Sequence, residues 1–424
     1  MEKIRKHITV FEHQSIRVNQ IIEGIAFDQH KLIAFQEYYG QNGVPFYSLI
    51  HNGIQFNEYV GVIQVGNTLI EVLPKADKNE NDETKWRNIL IGMLRAVGSF
   101  DIKTTSNSNL KIKPNTILDL YFELFIKEVE YLYHSGLVKK YRKTEGNSTA
   151  LKGNLMFGKH LQQNLTHQER FYVSHTTYDT AHLLHFILYK AIKLLKHINT
   201  NIGLQSRIGS LLLNFPEMPD IKVTETTFNN IVYNRKTKHY QKAIEIARLL
   251  LLQYHPDVKT GRNHVLALMF DMNKLWEQFV FVSLRKNKEL IVTAQTAKYF
   301  WKPEYGYKSK IIPDICIKKG DENIVLDTKW KNLNGYNPSP DDLRQMFVYH
   351  EYYQSQKVAL VYPGNSQNDK KGNFYPSSRY NSDDRVCCII SLSTPEVSNY
   401  GKGLIKKWQD EINDRISKWI DKKG

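Results

Sequence analysis

The fold of the last part of the chain is decided by Ile311-Ile312-Pro313-Asp314-Ile315-Cys316-Ile317, the polar segment 318–323, and then Ile324-Val325-Leu326-Asp327-Thr328-Lys329-Trp330. The two outer runs are rich in β-branched residues, and the segment between them contains Gly320-Asp321, a pair that favours tight turns. The pattern therefore predicts a β-hairpin whose two strands flank this turn.

The position of the turn decides which side chains share a face of the hairpin. With the turn centred between Gly320 and Asp321, Asp314 pairs with Asp327, and their Cβ atoms lie about 4.5–5.5 Å apart. Lys329 follows two residues after Asp327 and therefore points to the same face. A turn one residue longer or shorter would place the two aspartates on opposite faces.

The chemistry of this face indicates a metal site. Two carboxylates at this separation repel each other unless a positive charge lies between them, and Mg²⁺ suits the position because it binds one or two carboxylates together with water and phosphate oxygens. With Asp314 and Asp327 as metal ligands and Lys329 as a further positive charge, the pattern predicts Mg²⁺-dependent phosphodiester hydrolysis, in which Mn²⁺ can substitute for Mg²⁺. The alternative is a solvated ribbon, although aspartate is disfavoured inside strands.

Two segments beside the hairpin offer further candidate residues. Residues 271–286 predict a helix that carries Glu277 beside apolar side chains, so Glu277 is a candidate catalytic residue and third metal ligand; an exposed helical glutamate is the alternative. A second helix is predicted to begin at Ser339-Pro340, with proline in its first turn. This helix presents Gln345 and Tyr349 on one face, suited to orienting water or holding the DNA backbone.

The composition indicates a globular protein with a polyanionic partner. The 424 residues are 41% hydrophobic, and 58 Lys and Arg against 43 Asp and Glu give a formal net charge of +15. An excess of this size favours nucleic acid as the partner, and a generally basic proteome is the alternative explanation. The three cysteines, Cys316, Cys387 and Cys388, lack zinc-ligand or disulfide-framework spacing, so we expect a reduced, cytoplasmic setting.

Several sequence signals are missing. The chain has no apolar run of membrane-span length and no apolar leader after its first residues, so we expect a protein that neither enters a membrane nor is secreted. It also lacks the Gly-x-x-x-x-Gly-Lys-Ser/Thr phosphate loop. Any nucleotide-driven motor must therefore come from another chain.

The order of patterns predicts three domains: β-rich over 1–114, mainly helical over 115–258, and α/β over 259–424, with a mixed sheet flanked by helices. Their predicted elements are strands at 8–11, 59–65 and 68–73, a turn at Gly66-Asn67, helices at 83–97, 115–129, 179–198, 240–254 and 402–423, and a junction near 255–262. His182 and His185 lie on an apolar helix face without carboxylates, which indicates core histidines rather than metal ligands.

The ordered set of motifs resembles the PD-(D/E)xK nuclease superfamily in its RecB-like arrangement: Glu277, Pro313-Asp314, Asp327-Thr328-Lys329 and Gln345-x-x-x-Tyr349. More specifically, the chain resembles the McrC family, the nuclease subunits of McrBC modification-dependent restriction systems. That likeness extends to Ile70-Glu71-Val72-Leu73-Pro74-Lys75, Leu151-Lys152-Gly153-Asn154-Leu155 and Tyr178-Asp179-Thr180. The resemblance therefore runs over most of the chain.

The resemblance implies a division of labour between two proteins. A hexameric AAA+ partner, a GTPase or ATPase of the McrB type, recognises modified double-stranded DNA and moves along it, while the McrC-like subunit docks through its amino-terminal region, stimulates hydrolysis and cuts. Double-strand cutting needs two active sites, so a homodimer through the nuclease domain is a further hypothesis. Two alternatives stay open: a stand-alone restriction or repair nuclease, and a non-cleaving adaptor that regulates an AAA+ NTPase.

Overall fold

The computed structural model describes residues 6–41, 43–65, 68–76, 82–97, 117–199, 201–252, 254–255, 265–331, 333, 335–364, 369–375, 385–395 and 403–422. These residues form two compact units, one from 117–268 and one that joins 6–97 to 269–422. The division by sequence at 114 and 258 stays a prediction. The predicted junction at 255–262 lies, beyond His255, outside the described residues.

The front part of the joined unit is rich in short strands, as the sequence predicts. Its elements are β1 (Lys6–Phe11), β2 (Ser15–Arg17), β3 (Ile21–Ile22), β4 (Ile25–Ala26), α1 (Gln29–Tyr39), β5 (Tyr47–Ile50), β6 (Gly53–Phe56), β7 (Tyr59–Val65), β8 (Thr68–Leu73) and α2 (Glu83–Val97). β7 and β8 pair antiparallel with Val65 opposite Thr68, and β1 lies parallel to β8 on its other side. The predicted turn residues Gly66-Asn67 lie outside the described residues.

A buried ion pair holds α2 to this sheet. Glu71 of β8 is fully buried, and its Oε2 lies 2.6 Å from Arg87 Nη2 of α2 and 3.3 Å from His7 Nε2 of β1. Burial acts to raise the pKa of Glu71, but the hydrogen bonds from His7 and Arg87 outweigh it and lower that pKa. Glu71, the acidic residue of the segment 70–75, therefore has a structural role, because its ion pair holds α2 to the sheet.

The other unit consists of helices and a small sheet. Its elements are α3 (Ile117–His134), β9 (Lys140–Ser148), β10 (Asn154–Leu155), α4 (Phe157–Asn164), β11 (Phe171–Asp179), α5 (Leu183–Ile198), α6 (Ile202–Asn214), α7 (Glu225–Asn229), a 3-10 turn (Lys238–Tyr240), α8 (Gln241–Leu252), β12 (Tyr254–His255) and β13 (Val265–Asp271), the strand in which the chain leaves this unit. Helices α3, α5, α6 and α8 pack against one another, and β9, β10 and β11 form an antiparallel sheet.

Helix α5 begins four residues later than predicted, because Asp179 belongs to β11. There it pairs with Lys140 across the ladder and lies 3.0 Å from Arg142 Nη2. The three strands of this sheet were not predicted at all, since Lys140–Ser148 is polar on both faces and shows no alternation of apolar residues.

The two histidines that the sequence analysis singled out, His182 and His185, have structural partners. His185 is fully buried, with Nδ1 2.6 Å from the Thr180 carbonyl and Nε2 3.0 Å from the Tyr240 hydroxyl. His182 Nε2 lies 2.8 Å from the Val138 carbonyl. Burial, followed by repulsion from His182, whose ring centroid lies 4.0 Å away, lowers the pKa of His185 to about 4. The interpretation of both residues as core histidines is confirmed.

The rest of the joined unit contains the predicted mixed sheet. Its elements are α9 (Met272–Leu284), β14 (Ile291–Ala294), β15 (Lys298–Trp301), β16 (Ser309–Ile311), β17 (Ile315–Lys319), β18 (Glu322–Thr328), α10 (Pro340–Tyr353), β19 (Lys357–Pro363), β20 (Lys370–Asn373), β21 (Val386–Leu392) and α11 (Leu404–Asp421). The strand order is β14-β17-β18-β19-β21-β20. β18, β19 and β21 are parallel, and the outer strands are antiparallel.

Helices flank this sheet. Met346 and Tyr349 of α10 pack on Val325, Val358 and other apolar side chains of the central strands. Helix α9 contacts β18 and also packs against α11 through Trp276, Phe279 and Trp408, whose rings lie 4.8–6.3 Å apart. No helix among the described residues is long and apolar enough to cross a membrane.

We expect Gly153→Ala to destabilise the sheet of β9, β10 and β11. Gly153 has φ +70°, and a Cβ there would lie 2.4 Å from the Ser174 carbonyl oxygen. Strain and the clash should lower the free energy of unfolding by about 1–3 kcal/mol, measured by urea unfolding. Gly146→Ala in the same sheet is the control, because a Cβ there meets nothing within 4 Å. Equal stability of the two variants would contradict this account.

Candidate active site

The hairpin has the predicted register. Pairs run from Ile315 with Leu326 to Lys319 with Glu322, so the next pair outward is Asp314 with Asp327. Asp314 lies just before β17, and its Oδ2 accepts hydrogen bonds from the backbone N and the Oγ1 of Thr328, at 2.7 and 2.9 Å. These two bonds fix one carboxylate oxygen of Asp314 and leave the other free of that constraint.

At the end of β18, the buried Asp327 forms an ion pair with the partly exposed Lys329. Asp327 is 1% exposed, and its Oδ2 lies 2.7 Å from Lys329 Nζ. Apart from this ion pair, that oxygen has no hydrogen-bond partner within the described part of the chain. Burial, followed by repulsion from Asp314, raises the pKa of Asp327 to about 6. Burial opposes the charge of Lys329, but attraction to Asp327 outweighs it and raises the pKa of Lys329.

Glu277 belongs to the same electrostatic group. Asp271 caps the start of α9 by accepting from the Lys274 amide at 3.2 Å, and Glu277 lies on the second turn. Its Oε1 accepts a hydrogen bond of 3.1 Å from Gln295 Nε2. Burial, then repulsion from Asp314 and, more weakly, from Asp327, raises the pKa of Glu277 to about 7. Three carboxylates therefore influence one another at this end of the sheet.

Gln345 and Tyr349 lie on one face of α10, as predicted. Gln345 Nε2 donates to the Tyr349 hydroxyl at 2.7 Å, and that hydroxyl donates to the Ile312 carbonyl at 3.1 Å. Through this chain of hydrogen bonds, α10 holds the backbone two residues before Asp314. The predicted catalytic role of Gln345 stays a prediction, whereas Tyr349 has a visible positioning contact.

Three residues around the site were missed by the sequence analysis. Trp330 follows the catalytic lysine candidate; its backbone N donates to Asn273 Oδ1 at 3.1 Å and its Nε1 donates to Glu12 Oε1 at 2.8 Å. The same Glu12 oxygen accepts from the Lys75 amide at 2.7 Å. Glu12 and Trp330 are 318 residues apart, so no local signal could have linked them.

The donor chemistry fits a hard divalent cation. Asp314, Asp327 and Glu277 supply carboxylate oxygens, the ligands that Mg²⁺ prefers. Burial and then repulsion from Asp314 raise the pKa values of Asp327 and Glu277, and a bound cation would favour the ionised form of both carboxylates. As the side chains stand, no group of three or more His, Cys, Asp or Glu among the described residues has metal-site geometry. Lys329 Nζ instead lies against the Asp327 oxygen.

Comparison with known proteins identifies the family. Residues 54–363, more than half of the chain, match the sequence model of the family described as McrBC 5-methylcytosine restriction system component. The chain belongs to this family. No curated protein matches this chain.

Solved structures resemble this McrBC family member. One is a chain of the refined half-complex from the tetradecameric assembly of Thermococcus gammatolerans McrB AAA+ hexamers with bound McrC. Its TM-score is 0.67 at 21% identity, over 96% of this chain and 100% of that one. A chain of the T. gammatolerans McrBC complex has a TM-score of 0.49 at 20% identity, over 66% of this chain and 88% of that one. The first match shows that the mixed α/β fold is shared along almost the whole length.

We expect Asp327→Asn to stabilise the metal-free protein. The folded-state pKa of Asp327, about 6, lies above its ordinary value of 3.8, so ionisation of this residue destabilises the fold as pH rises between these values. Above pH 6 the variant should gain on the order of 1 kcal/mol, allowing for the lost ion pair with Lys329, and below about pH 4 the gain should vanish. Thermal unfolding in EDTA across this pH range measures the difference.

The matched control is Asp321→Asn, in the exposed turn of the same hairpin, which should leave the unfolding temperature unchanged. Added Mn²⁺ should raise the unfolding temperature of the wild type and of the control more than that of Asp327→Asn. A variant less stable than the wild type at neutral pH in EDTA would contradict the electrostatic account of this site.

Proposed function

We propose that this chain is the DNA-cleaving subunit of a McrBC-type restriction system, a Mg²⁺-dependent endonuclease of the PD-(D/E)xK type. The observation that carries the proposal is the hairpin register, which brings Asp314, Asp327 and Lys329 together beside Glu277. Surface ion pairs seldom include a carboxylate that is 99% buried with a raised pKa, whereas catalytic sites often do.

Each residue has a role that its contacts support. Asp314 and Asp327 would hold Mg²⁺ with Glu277 as a third ligand, and the Thr328 bonds keep Asp314 oriented. When bound, Mg²⁺ supplies Lewis acidity that stabilises negative charge on a phosphodiester and acidifies water. Lys329, whose raised pKa keeps it protonated, places a fixed positive charge beside the scissile phosphate. Gln345 supports the site through Tyr349.

The substrate and partner follow from the family and from charge. We infer modified double-stranded DNA from the family's description as a 5-methylcytosine restriction component and from the net charge of +15. An McrB-like AAA+ hexamer that hydrolyses GTP or ATP is the proposed motor, because this sequence has no phosphate loop and a similar chain comes from an assembly of McrB hexamers with bound McrC. Cutting both strands requires two active sites, which a homodimer through the nuclease domain would provide.

We expect Lys329→Ala to reduce cleavage of methylated DNA by roughly 10²–10³-fold, the usual cost of removing one charge-stabilising donor. Lys318→Ala is the control, since Lys318 is exposed on the same hairpin. The assay combines the chain, its AAA+ partner, nucleotide and Mg²⁺, and it also follows nucleotide hydrolysis by the partner. Unchanged hydrolysis with lost cleavage would separate the nuclease role from the docking role.

The same assay distinguishes the alternative functions. Cleavage by the chain alone, without partner or nucleotide, would favour a stand-alone nuclease. Stimulation of the partner without any cleavage, together with phage restriction that survives Lys329→Ala in cells, would favour an adaptor and overturn the proposal.

A further inference from the structure

An aromatic, basic ribbon precedes the candidate catalytic hairpin. The segment 298–311, which we call the arm, has the sequence KYFWKPEYGYKSKI and contains four lysines against one glutamate. Within the part of the chain that the structure describes, strands β15 and β16 pair only with each other and do not join the six-stranded sheet. Every residue of β15 is exposed, and four large aromatic side chains of the arm are mostly in solvent: Tyr299 (62% exposed), Trp301 (59%), Tyr305 (91%) and Tyr307 (99%).

The side chains of the arm are arranged as an interleaved aromatic and cationic surface. Tyr299 pairs with Lys310 across the ladder, and the Nζ atoms of Lys308 and Lys310 lie 5.0 and 5.2 Å from the Tyr299 ring centroid. Neither lysine forms an ion pair with a described residue. Exposed aromatic rings cost free energy in water unless a partner covers them, and these rings are bordered by positive charge that an apolar protein surface would not match.

The root of the arm is anchored beside the catalytic candidates. The Tyr353 hydroxyl of α10 lies 2.5 Å from the carbonyl of Thr296, two residues before the arm, and 3.0 Å from the carbonyl of Ile311, the last residue of the arm. Phe300 packs edge-on against Tyr352, at 5.1 Å between ring centroids. Asp314 follows three residues after β16 ends, so the root of the arm adjoins the segment that carries the first carboxylate.

We propose that the arm binds a DNA strand with unpaired bases, which stack on its exposed rings while its lysines contact phosphates. Base faces are available to aromatic side chains only where the duplex is opened, and each stacked base contributes enough to shift affinity several-fold or more. The inference rests on the proposed function in one respect, because it places this strand at the cutting site. It adds to that function a preference for DNA that is locally unpaired.

The test measures binding of the full-length chain in EDTA, so that no cleavage occurs, by fluorescence anisotropy. Two labelled probes are compared: a fully paired duplex and the same duplex with a central unpaired bubble. The wild type should bind the bubble more tightly, and Tyr299→Ala/Trp301→Ala should lose about tenfold or more of that affinity with little change for the paired duplex. Tyr336→Ala/Tyr375→Ala is the control, since both tyrosines are exposed in the same unit.

A second variant separates stacking from charge. Lys308→Ala/Lys310→Ala should weaken binding to both probes and flatten the dependence of log affinity on log salt by about 0.7–0.9 for each lost phosphate contact. Lys371→Ala, an exposed lysine on edge strand β20, should change the slope less. Thermal unfolding of every variant confirms that the fold is retained.

The outcomes are distinguishable from those of the proposed function. Unchanged bubble affinity in the aromatic variant overturns the arm as a DNA-binding element, even where the chain cuts DNA. A wild-type dimer that the aromatic variant converts to monomer, with DNA binding unchanged, assigns the rings to a protein interface and also overturns it. Arm-dependent bubble binding by a chain that never cuts, with its partner and Mg²⁺ present, supports the arm and rejects the nuclease.

Discussion

The site depends on the register of one hairpin, β17 with β18. Because side chains alternate across a strand, a slip of one residue would send Asp327 and Lys329 to the face opposite Asp314. The two hydrogen bonds from Thr328 to Asp314 exist only in the observed register, and Ile317 and Ile324 are buried in the same register. Core packing and polar contacts therefore select the same arrangement.

This arrangement is electrostatically unfavourable when the carboxylates are ionised. Burial and mutual repulsion raise the pKa of Asp327 and of Glu277 towards neutrality, so the ionised site opposes folding. The surrounding contacts keep the backbone in place: Tyr349 holds Ile312, and Trp330 bonds to Asn273 and Glu12. The proposed cation would relieve this conflict between charge and stability at a site that the surrounding contacts otherwise hold firmly.

The sequence predicted those features that depend on neighbours along the chain. Alternation and a Gly-Asp turn were enough for the hairpin register, and helical spacing was enough for the Gln345–Tyr349 contact. The sheet of β9 to β11 was missed because its strands are polar on both faces, so no period of apolar residues marks them. The Glu12–Trp330 bond was missed because it joins distant segments, and only the folded chain brings them together.

That long-range bond connects two distant segments of the chain within one compact unit. Glu12 follows β1, its amide donates to the Leu73 carbonyl at the end of β8, and one of its oxygens accepts from both Lys75 and Trp330. Trp330 directly follows Lys329 in the sequence. The Lys329 amide donates a hydrogen bond to the Val361 carbonyl of β19. Displacement of Glu12 would remove the acceptor of the buried Trp330 indole and of the part-buried Lys75 amide at once, which is costly. The contacts of Glu12 therefore tie β1 and β8 to the segment that carries Lys329.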